Sequence, residues 1–235
     1  MKRVYAVILA AGAGERAAGQ LPKQLEELAG RPLVAHTIER FQRSAAVDEI
    51  IVVIPADGRA AFEALIARDR LDKVTRLVYG GARRLESSAA GVRAIDDDDA
   101  KVLIHDGVRP FVSQVLIEAC VAALDAHACV DIAVDVVDTI IRVDAARLVA
   151  EVPDKRYLKR GQTPQGFHLP LLREAQRRAL DERAVVFSDD CGPVLHYGLA
   201  SIYVVPGETD NFKITYPADL ERARALLRRS RATPC

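Results

Sequence analysis

The chain has 235 residues, half of them apolar, and its 33 lysines and arginines balance 33 aspartates and glutamates. This composition excludes a disordered or fibrous protein and predicts a globular one. A net charge of zero lacks the basic excess of proteins that bind nucleic acid or anionic membranes, so we expect neither partner, and any phosphate binding must come from a local cluster of cations.

Apolar segments of strand length alternate along the chain with segments of helical periodicity. This alternation predicts an α/β, doubly wound, Rossmann-like fold, with a mostly parallel sheet between two layers of helices. Continuous apolar runs indicate strands that are covered on both faces. The predicted strands span residues 5–9, 49–54, 76–79, 101–104, 132–137 and 201–205, and the predicted helices span residues 33–42, 60–67, 87–95, 116–126 and 217–227.

Residues 140–162 interrupt this alternation. Two short strand-like segments, 141–143 and 148–152, flank a turn that starts at Asp144, which predicts a β-hairpin arm projecting from the sheet at about 139–162. An arm of this kind suits contact with a partner subunit, so we expect a homodimer. No linker rich in glycine, serine or proline divides the chain, which predicts one domain over residues 1–235.

The four cysteines have no C-x-x-C spacing, which favours reduced thiols over a disulfide framework or a zinc site. No apolar run approaches the roughly 18 residues of a membrane span, and the first strand passes directly into glycines without a cleavable signal segment. We therefore expect a cytoplasmic protein. The cysteines are Cys120, Cys129, Cys191 and Cys235.

A loop of small residues, Ala10-Ala11-Gly12-Ala13-Gly14, follows the first predicted strand. Ligands of open α/β sheets bind beyond the carboxyl ends of the strands, and backbone N–H groups of small residues can close around an anion. Arg16 and Lys23 follow with positive charge, so we interpret the loop as a triphosphate site. It has neither the Walker sequence nor the third glycine of the dinucleotide fingerprint, and a simple chain turn remains the alternative.

Three further polar segments follow predicted strands. Asp106 comes after strand 101–104, where a carboxylate can hold Mg²⁺ or another divalent cation against phosphate oxygens, or can simply cap a turn. Residues 80–88 open a helix and offer N–H donors, a guanidinium and hydroxyls. Asp210 and Lys213 lie beyond the last predicted strand and add a carboxylate and an ammonium group.

Together these motifs resemble those of the cytidylyltransferases that activate sugar-alcohol phosphates. The resemblance spans essentially the whole chain, in order, and implies that CMP moves from CTP to a polyol phosphate with release of pyrophosphate. It also implies a homodimer that exchanges the arm. The matching motifs are Ala10-Ala11-Gly12-x-Gly14-x-Arg16, Pro22-Lys23-Gln24, Gly80-Gly81-x-x-Arg84-x-x-Ser87, His105-Asp106-x-x-Arg109-Pro110, Asp138-Thr139, Thr163-Pro164-Gln165 and Asn211-Phe212-Lys213.

The motifs and the resemblance together assign the site residues. The catalytic set is Arg16, Lys23, Asp106 and Lys213, of which the first two bind the triphosphate. The nucleotide-binding set is Ala10, Ala11, Gly12, Gly14, Gly81, Arg84 and Ser87. The acceptor-binding set is Arg109, Thr139, Lys155, Thr163 and Lys213, and the metal ligands are Asp106 and Asp210.

The implied reaction is an in-line attack by the acceptor's phosphate oxygen on the α-phosphorus of CTP. A phosphate monoester is already a nucleophile near neutral pH, so we expect no general base and interpret His105 as structural. A nucleotide-binding regulator without catalysis is the alternative of another class. It would require a missing catalytic charge, whereas all four residues of the catalytic set are present.

The family includes enzymes for two acceptors, D-ribitol 5-phosphate and 2-C-methyl-D-erythritol 4-phosphate. Val108, Phe111, Gly161, Gln162 and the segment 188–191 are more similar to the ribitol-phosphate branch. We therefore expect D-ribitol 5-phosphate as the acceptor, with 2-C-methyl-D-erythritol 4-phosphate, an intermediate of non-mevalonate isoprenoid biosynthesis, as the alternative. One methyl group in a pocket discriminates by only about 1–3 kcal/mol.

Overall fold

A computed structural model of the chain describes residues 2–12, 23–182 and 184–232. Among the helices of these residues, none has an apolar stretch that could span a lipid bilayer. In chain order the elements are β1 (Val4–Leu9), β2 (Glu27–Leu28), β3 (Arg31–Pro32), α1 (Leu33–Arg43), β4 (Glu49–Ile54), α2 (Arg59–Asp69), β5 (Val74–Tyr79), α3 (Arg84–Arg93), β6 (Lys101–Asp106), α4 (Gln114–Ala123), β7 (Cys129–Asp135), β8 (Arg142–Val143), β9 (Val149–Glu151), β10 (Lys159–His168), α5 (Leu169–Asp181), α6 (Cys191–His196), β11 (Ile202–Pro206) and α7 (Pro217–Ala232).

Seven of the described strands form one central sheet in the order β11-β7-β10-β6-β1-β4-β5. β1 pairs in parallel with β4 and β6, β4 pairs in parallel with β5, and β11 with β7. β10 runs antiparallel between β6 and β7. The predicted α/β fold with a mostly parallel sheet is confirmed.

The sheet is buried on both faces. Successive side chains of a strand point to opposite faces, so Ala6 and Ile8 of β1 pack with helices α1, α2 and α4, while Tyr5 and Val7 pack with helices α3, α5 and α6. Both sides of β1 are therefore apolar, which explains its continuous apolar sequence. This arrangement also leaves the carboxyl ends of β1, β4, β5 and β6 on one edge, where the loops after them can meet.

The sequence patterns missed β10 and α5. β10 carries the buried polar residues Gln162, Thr163 and Gln165, so a search for apolar runs does not identify it as a central strand. α5 begins directly after β10 and buries Leu169 and Leu172 at helical spacing. The predicted strand 132–137 instead runs from Cys129 to Asp135, because its ladder partners lie in β10 and β11.

The predicted hairpin is present as β8 and β9, which pair antiparallel outside the central sheet. Asp144 fixes the turn, because its Oδ1 accepts hydrogen bonds from the N–H groups of Ala146 and Leu148, both at 2.9 Å. The predicted arm at 139–162 was too long at its carboxyl end. Residues 159–162 belong to β10 and pair with β7, so the arm ends before Lys159.

Candidate active site

A cavity of about 490 Å³ opens at the carboxyl ends of β1, β5 and β6. Open α/β sheets bind their ligands at this edge, and the volume is typical of small-molecule sites. The lining side chains of the described residues include four cations and one carboxylate, which gives the local positive charge that the neutral chain requires for phosphate binding. The lining residues are Leu9, Ala10, Ala11, Gly12, Lys23, Gln24, Gly81, Ala82, Arg83, Arg84, Ser87, Asp106, Val108, Lys213, Ile214 and Thr215.

Gly80 brings the loops after β1 and β5 into contact. A Cβ atom at this position would lie 2.3 Å from Cβ of Ala11 and 2.7 Å from Oγ of Ser87, so only glycine allows this approach. The Gly81 N–H donates to Oγ of Ser87 at 3.2 Å. The two loops therefore form one wall of the cavity, which is built mainly from small residues and main chain.

Asp106 ends β6 and lies at the centre of the charged part of the cavity. Its Oδ2 is 3.2 Å from both Nζ of Lys213 and Nε of Arg109. Its Oδ1 is 3.6 Å from Nη2 of Arg84, which is too long for a hydrogen bond. One oxygen of the carboxylate is thus held by two cations, and the other has no hydrogen bond from a described residue.

Burial by itself would raise the pKa of Asp106, but the charges of Lys213, Arg84 and Arg109 outweigh it and hold that pKa well below its usual range. The carboxylate is therefore ionised at every physiological pH. Burial works against the charge of Arg84 as well, yet Asp190 and Asp106 together raise the Arg84 pKa. Charge pairing compensates for burial on both sides of the cluster.

Lys213 reaches Asp106 because of its neighbour Ile214. Ile214 is buried, and its N–H donates to the carbonyl oxygen of Val108 at 3.0 Å. This bond fastens the segment after β11 to the loop after β6. Lys23 approaches the same segment, where its Nζ donates to the carbonyl oxygen of Thr215.

A hydrogen-bonded chain beneath the cavity supports Asp106. The Asp106 N–H donates to Oγ1 of Thr163 at 3.1 Å, and His105 Nε2 is 3.1 Å from the carbonyl oxygen of Arg109. Because that oxygen only accepts, His105 carries its proton on Nε2, and the Thr163 hydroxyl donates to Nδ1 at 3.0 Å. Burial lowers the pKa of His105 to about 4, so the ring is neutral. These contacts support a structural role for His105.

Nine of the predicted site residues line the cavity together. Arg16 and Gly14 lie outside the described residues. The nine are Ala10, Ala11, Gly12, Lys23, Gly81, Arg84, Ser87, Asp106 and Lys213.

Two predicted acceptor-binding residues lie beneath the cavity and not on its surface. Arg109 is buried between Asp106 and the backbone carbonyl of Asn211, to which its Nη1 donates at 2.9 Å. The Thr163 hydroxyl is buried and already bonded on both sides. In this structure both residues support Asp106, and their assignment to the acceptor stays a prediction.

Three other predicted residues lie elsewhere on the chain. Thr139 and Lys155 are exposed on the arm and do not line the cavity. Asp210 is paired with Arg222 at 3.5 Å and lines a second cavity, so it lies apart from Asp106, and its role as a metal ligand stays a prediction. Its nearness to Lys213 in sequence was misleading, because the chain turns between the two residues.

Several cavity residues were not assigned from the sequence. Gln24 and Val108 each adjoin an assigned residue in the chain, and Thr215 lies two positions after Lys213. Asp190 binds Arg84 from behind the cavity. Hydrophobic periodicity did not point to it, because it lies in an irregular segment before α6.

Asp106 is the one carboxylate among the described residues that line the cavity, and Mg²⁺ commonly binds one or two carboxylates together with substrate phosphates. Within the described part of the chain, no group of three histidine, cysteine, aspartate or glutamate side chains comes close enough to hold a metal ion. The open Oδ1 of Asp106 is the oxygen that could bind a cation shared with a phosphate.

The fold and the cavity, with four cationic side chains of described residues at the strand ends, are typical of α/β enzymes that bind phosphorylated ligands. Residues 4–229 match the model of the family described as IspD, 2-C-methyl-D-erythritol 4-phosphate cytidylyltransferase. A cytidylyltransferase of that name from Thermobifida fusca is 43% identical, with 96% of this chain and 94% of the relative covered. A ribitol-5-phosphate cytidylyltransferase from Lactiplantibacillus plantarum is 37% identical, with 95% and 98% covered.

A solved structure supports the same conclusion. The crystal structure of 4-diphosphocytidyl-2C-methyl-D-erythritol synthase from Anaerococcus prevotii is 31% identical, has a TM-score of 0.87, and covers 97% of this chain and 99% of its own. The chain belongs to the IspD family of cytidylyltransferases. It is a CTP-dependent enzyme, and the predicted resemblance is confirmed. The family uses CTP and a sugar-alcohol phosphate.

Replacing Thr163 by valine should lower the free energy of unfolding by about 1–3 kcal/mol, because the Asp106 N–H and His105 Nδ1 lose a buried partner. Urea denaturation measures this change. Thr163→Ser keeps the hydroxyl and should remain near the wild type. The KM for the acceptor should change by less than about threefold in both variants, since the hydroxyl does not reach the cavity. A rise in acceptor KM of about tenfold in Thr163→Val alone would show that the hydroxyl contributes to acceptor binding.

Proposed function

We propose that this enzyme transfers CMP from CTP to 2-C-methyl-D-erythritol 4-phosphate, which forms a CDP-alcohol and releases pyrophosphate. The matched family model carries this acceptor in its description, and so do relatives 43% and 40% identical, from Thermobifida fusca and Frankia casuarinae. The ribitol-phosphate relative is 37% identical. The comparisons thus favour the alternative over the expected D-ribitol 5-phosphate. Because the reaction consumes CTP, we place it in the cytoplasm.

The main support for this proposal is that Lys23, Asp106 and Lys213 line the same cavity. The three residues come from distant parts of the chain, after β1, at the end of β6 and after β11. Two ammonium groups beside one carboxylate give separate sites for two anions. A reaction between a triphosphate and a phosphate monoester needs such an arrangement, since the two anions repel each other in water.

The residues have distinct roles in an in-line displacement. Lys23 and Arg16 bind the triphosphate and stabilise the negative charge that develops on the leaving pyrophosphate. Lys213 holds the acceptor phosphate, whose oxygen attacks the α-phosphorus. Asp106 keeps the Lys213 ammonium in place through their 3.2 Å contact. No enzyme group needs to remove a proton, and the rate enhancement comes from orientation and charge.

The cytidine would lie against the wall that the loops after β1 and β5 form. This wall offers backbone groups of residues 10–12, the Gly81 loop and the Ser87 hydroxyl. The chain has no tryptophan, so recognition of the base relies on main-chain groups and hydroxyls more than on stacking.

We also propose Mg²⁺, or another divalent cation, as the cofactor, held by Oδ1 of Asp106 and by phosphate oxygens of CTP. The bound ion would neutralise part of the triphosphate charge. The described protein side chains supply few ligands, so the affinity for the metal would depend on the nucleotide.

The arm is the proposed dimer contact. Val143, Leu148 and Val149 are each about half exposed or more, at 49%, 65% and 58%, although they are apolar. Such a cluster favours coverage by another chain. Thr139 and Lys155 lie on the same arm, so an exchanged arm could bring them to the acceptor phosphate of the partner subunit. This would reconcile their predicted role with their position far from the cavity of their own chain.

Lys23→Ala and Arg16→Ala should each lower kcat/KM for pyrophosphate release about 100-fold or more, because each removes a charged contact that strengthens in the transition state. Continuous detection of pyrophosphate measures this, with circular dichroism to verify folding. Lys2→Ala is the matched control, since Lys2 pairs with Asp99 on the surface. A loss below about tenfold in both cavity variants would contradict the assignment.

Side-by-side turnover should favour 2-C-methyl-D-erythritol 4-phosphate over D-ribitol 5-phosphate. The expected ratio of kcat/KM is about 10-fold or more, which corresponds to the 1–3 kcal/mol that a methyl group contributes in a fitted pocket. CTP is kept saturating in both assays. A ratio in favour of D-ribitol 5-phosphate would restore the original expectation and leave the cytidylyltransferase chemistry intact.

The protein should sediment as a dimer at micromolar concentration, because the arm exposes an apolar cluster. A double replacement, Val143→Glu with Val149→Glu, places charge on the paired strands and should shift the population towards monomer. Arg147→Glu, at the turn, changes charge without touching the apolar pair and is the control. A monomeric wild type would refute the arm contact.

A further inference from the structure

Asp190 is a completely buried carboxylate behind the cavity. Its Oδ2 accepts a hydrogen bond from Nη1 of Arg84 at 2.6 Å, and its Oδ1 accepts one from Oγ of Ser88 at 2.5 Å. Its backbone N–H donates to Oε1 of Gln165 at 3.0 Å. Gln176 completes the surroundings, because its Nε2 donates to the Ser88 hydroxyl at 2.9 Å. Asp190 does not line the cavity, so its effect on substrates must pass through another residue.

Arg84 is that residue, because it lies between two carboxylates. Its Nη1 is 2.6 Å from Asp190, whereas its Nη2 is 3.6 Å from Oδ1 of Asp106. The first contact is a charge-assisted hydrogen bond, and the second is 1 Å longer and is not a hydrogen bond. The planar guanidinium could form a close pair with either carboxylate. In the structure, the hydrogen bond of the guanidinium goes to Asp190 and not to Asp106.

The position of Arg84 determines what Asp106 can bind. Lys213 and Arg109 both contact Oδ2 of Asp106, so Oδ1 is the oxygen left for a substrate or a cation. If Arg84 moved about 0.7 Å closer, it would form a normal hydrogen bond to Oδ1 and occupy that oxygen. The contact with Asp190 prevents this.

We propose that Asp190 is a positioning residue that holds Arg84 away from Asp106 and keeps Oδ1 of Asp106 open to the cavity. The proposal rests on the proposed role of Asp106 in the reaction, and it adds a residue that touches neither nucleotide nor acceptor. Asp190 also balances the charge of Arg84. The guanidinium can then contact the nucleotide without pairing with Asp106, the carboxylate that the reaction uses.

A merely structural role of Asp190 is the competing explanation. Breaking a buried ion pair destabilises most proteins, so loss of stability in a variant does not separate the two explanations. They differ in where Arg84 goes. In the positioning role, removal of the Asp190 charge closes the gap between Arg84 and Asp106. In the structural role, Arg84 stays in place or becomes disordered.

The first test is a crystal structure of Asp190→Asn without nucleotide. Asparagine has the size of aspartate and can still accept from Ser88, but its charge is gone. We expect the distance from Nη2 of Arg84 to Oδ1 of Asp106 to shorten from 3.6 Å to about 2.9 Å. A distance of 3.5 Å or more, or an Arg84 side chain turned away from Asp106, would overturn the proposal.

The second test is a double-mutant cycle on kcat/KM for pyrophosphate release. Asp190→Asn should lower it about 10- to 100-fold in the wild-type background and less than about threefold in the Arg84→Gln background, because no guanidinium is left to close on Asp106. Equal losses in both backgrounds would overturn the proposal. Asp131→Asn is the control, since Asp131 is a partly buried carboxylate bonded to the same Gln165 but has no contact with Arg84.

The two tests separate failure of this proposal from failure of the proposed function. If wild-type protein released no pyrophosphate with either polyol phosphate, the proposed function would fail, and the crystallographic distance alone would decide the role of Asp190. If the wild type and Asp131→Asn were active, and Asp190→Asn were folded and as active as they are, the proposed function would stand and the role of Asp190 would be refuted.

Discussion

The carboxylate of Asp106, enclosed among Lys213, Arg109 and Arg84, is the interaction on which the site depends. A buried negative charge is costly unless cations and hydrogen bonds compensate it. Each cation comes from a different part of the chain, so the pairing draws together α3, the loop after β6 and the segment after β11. Two of the cations that stabilise Asp106, Arg84 and Lys213, also line the cavity and contribute to its positive charge.

A layer of uncharged polar groups supports this cluster. The Asn211 side chain donates to the carbonyl oxygen of Thr163 at 2.8 Å, and the Asn211 carbonyl accepts from Arg109. Thr163 and His105 in turn fix the backbone of Asp106. Every one of these groups is buried, and each bond compensates the loss of water. The cavity surface is therefore supported from below by residues that do not line it.

Sequence patterns could predict the strands whose buried side chains are mainly apolar. β1, β4 and β6 are apolar on both faces, so their sequences alone identify them, and small residues beyond β1 mark the loop at the sheet edge. β10 could not be found in this way, because its buried side chains are bonded polar groups. Nothing in the sequence of Gln162 or Thr163 indicates that a hydrogen-bond partner lies in a distant part of the chain.

The candidate site divides in the same manner. Charged residues of the cavity, such as Lys23 and Lys213, were predicted, because a charged side chain within a short motif can be identified from the sequence alone. The buried positions of Arg109 and Thr163 could not be predicted, because a motif does not distinguish a side chain on a surface from one beneath it. Asp190 was not assigned a role at all, since its importance depends on a distance of 2.6 Å to Arg84, 106 residues away in the chain.

The segment with Lys213 follows β11, which pairs with β7 at one edge of the sheet. During synthesis this lysine emerges from the ribosome long after the loops of β1 and β5. A nascent chain therefore cannot bring Lys213 to Asp106 until β11 has been made and has docked. The architecture thereby postpones catalytic competence until the sheet is complete.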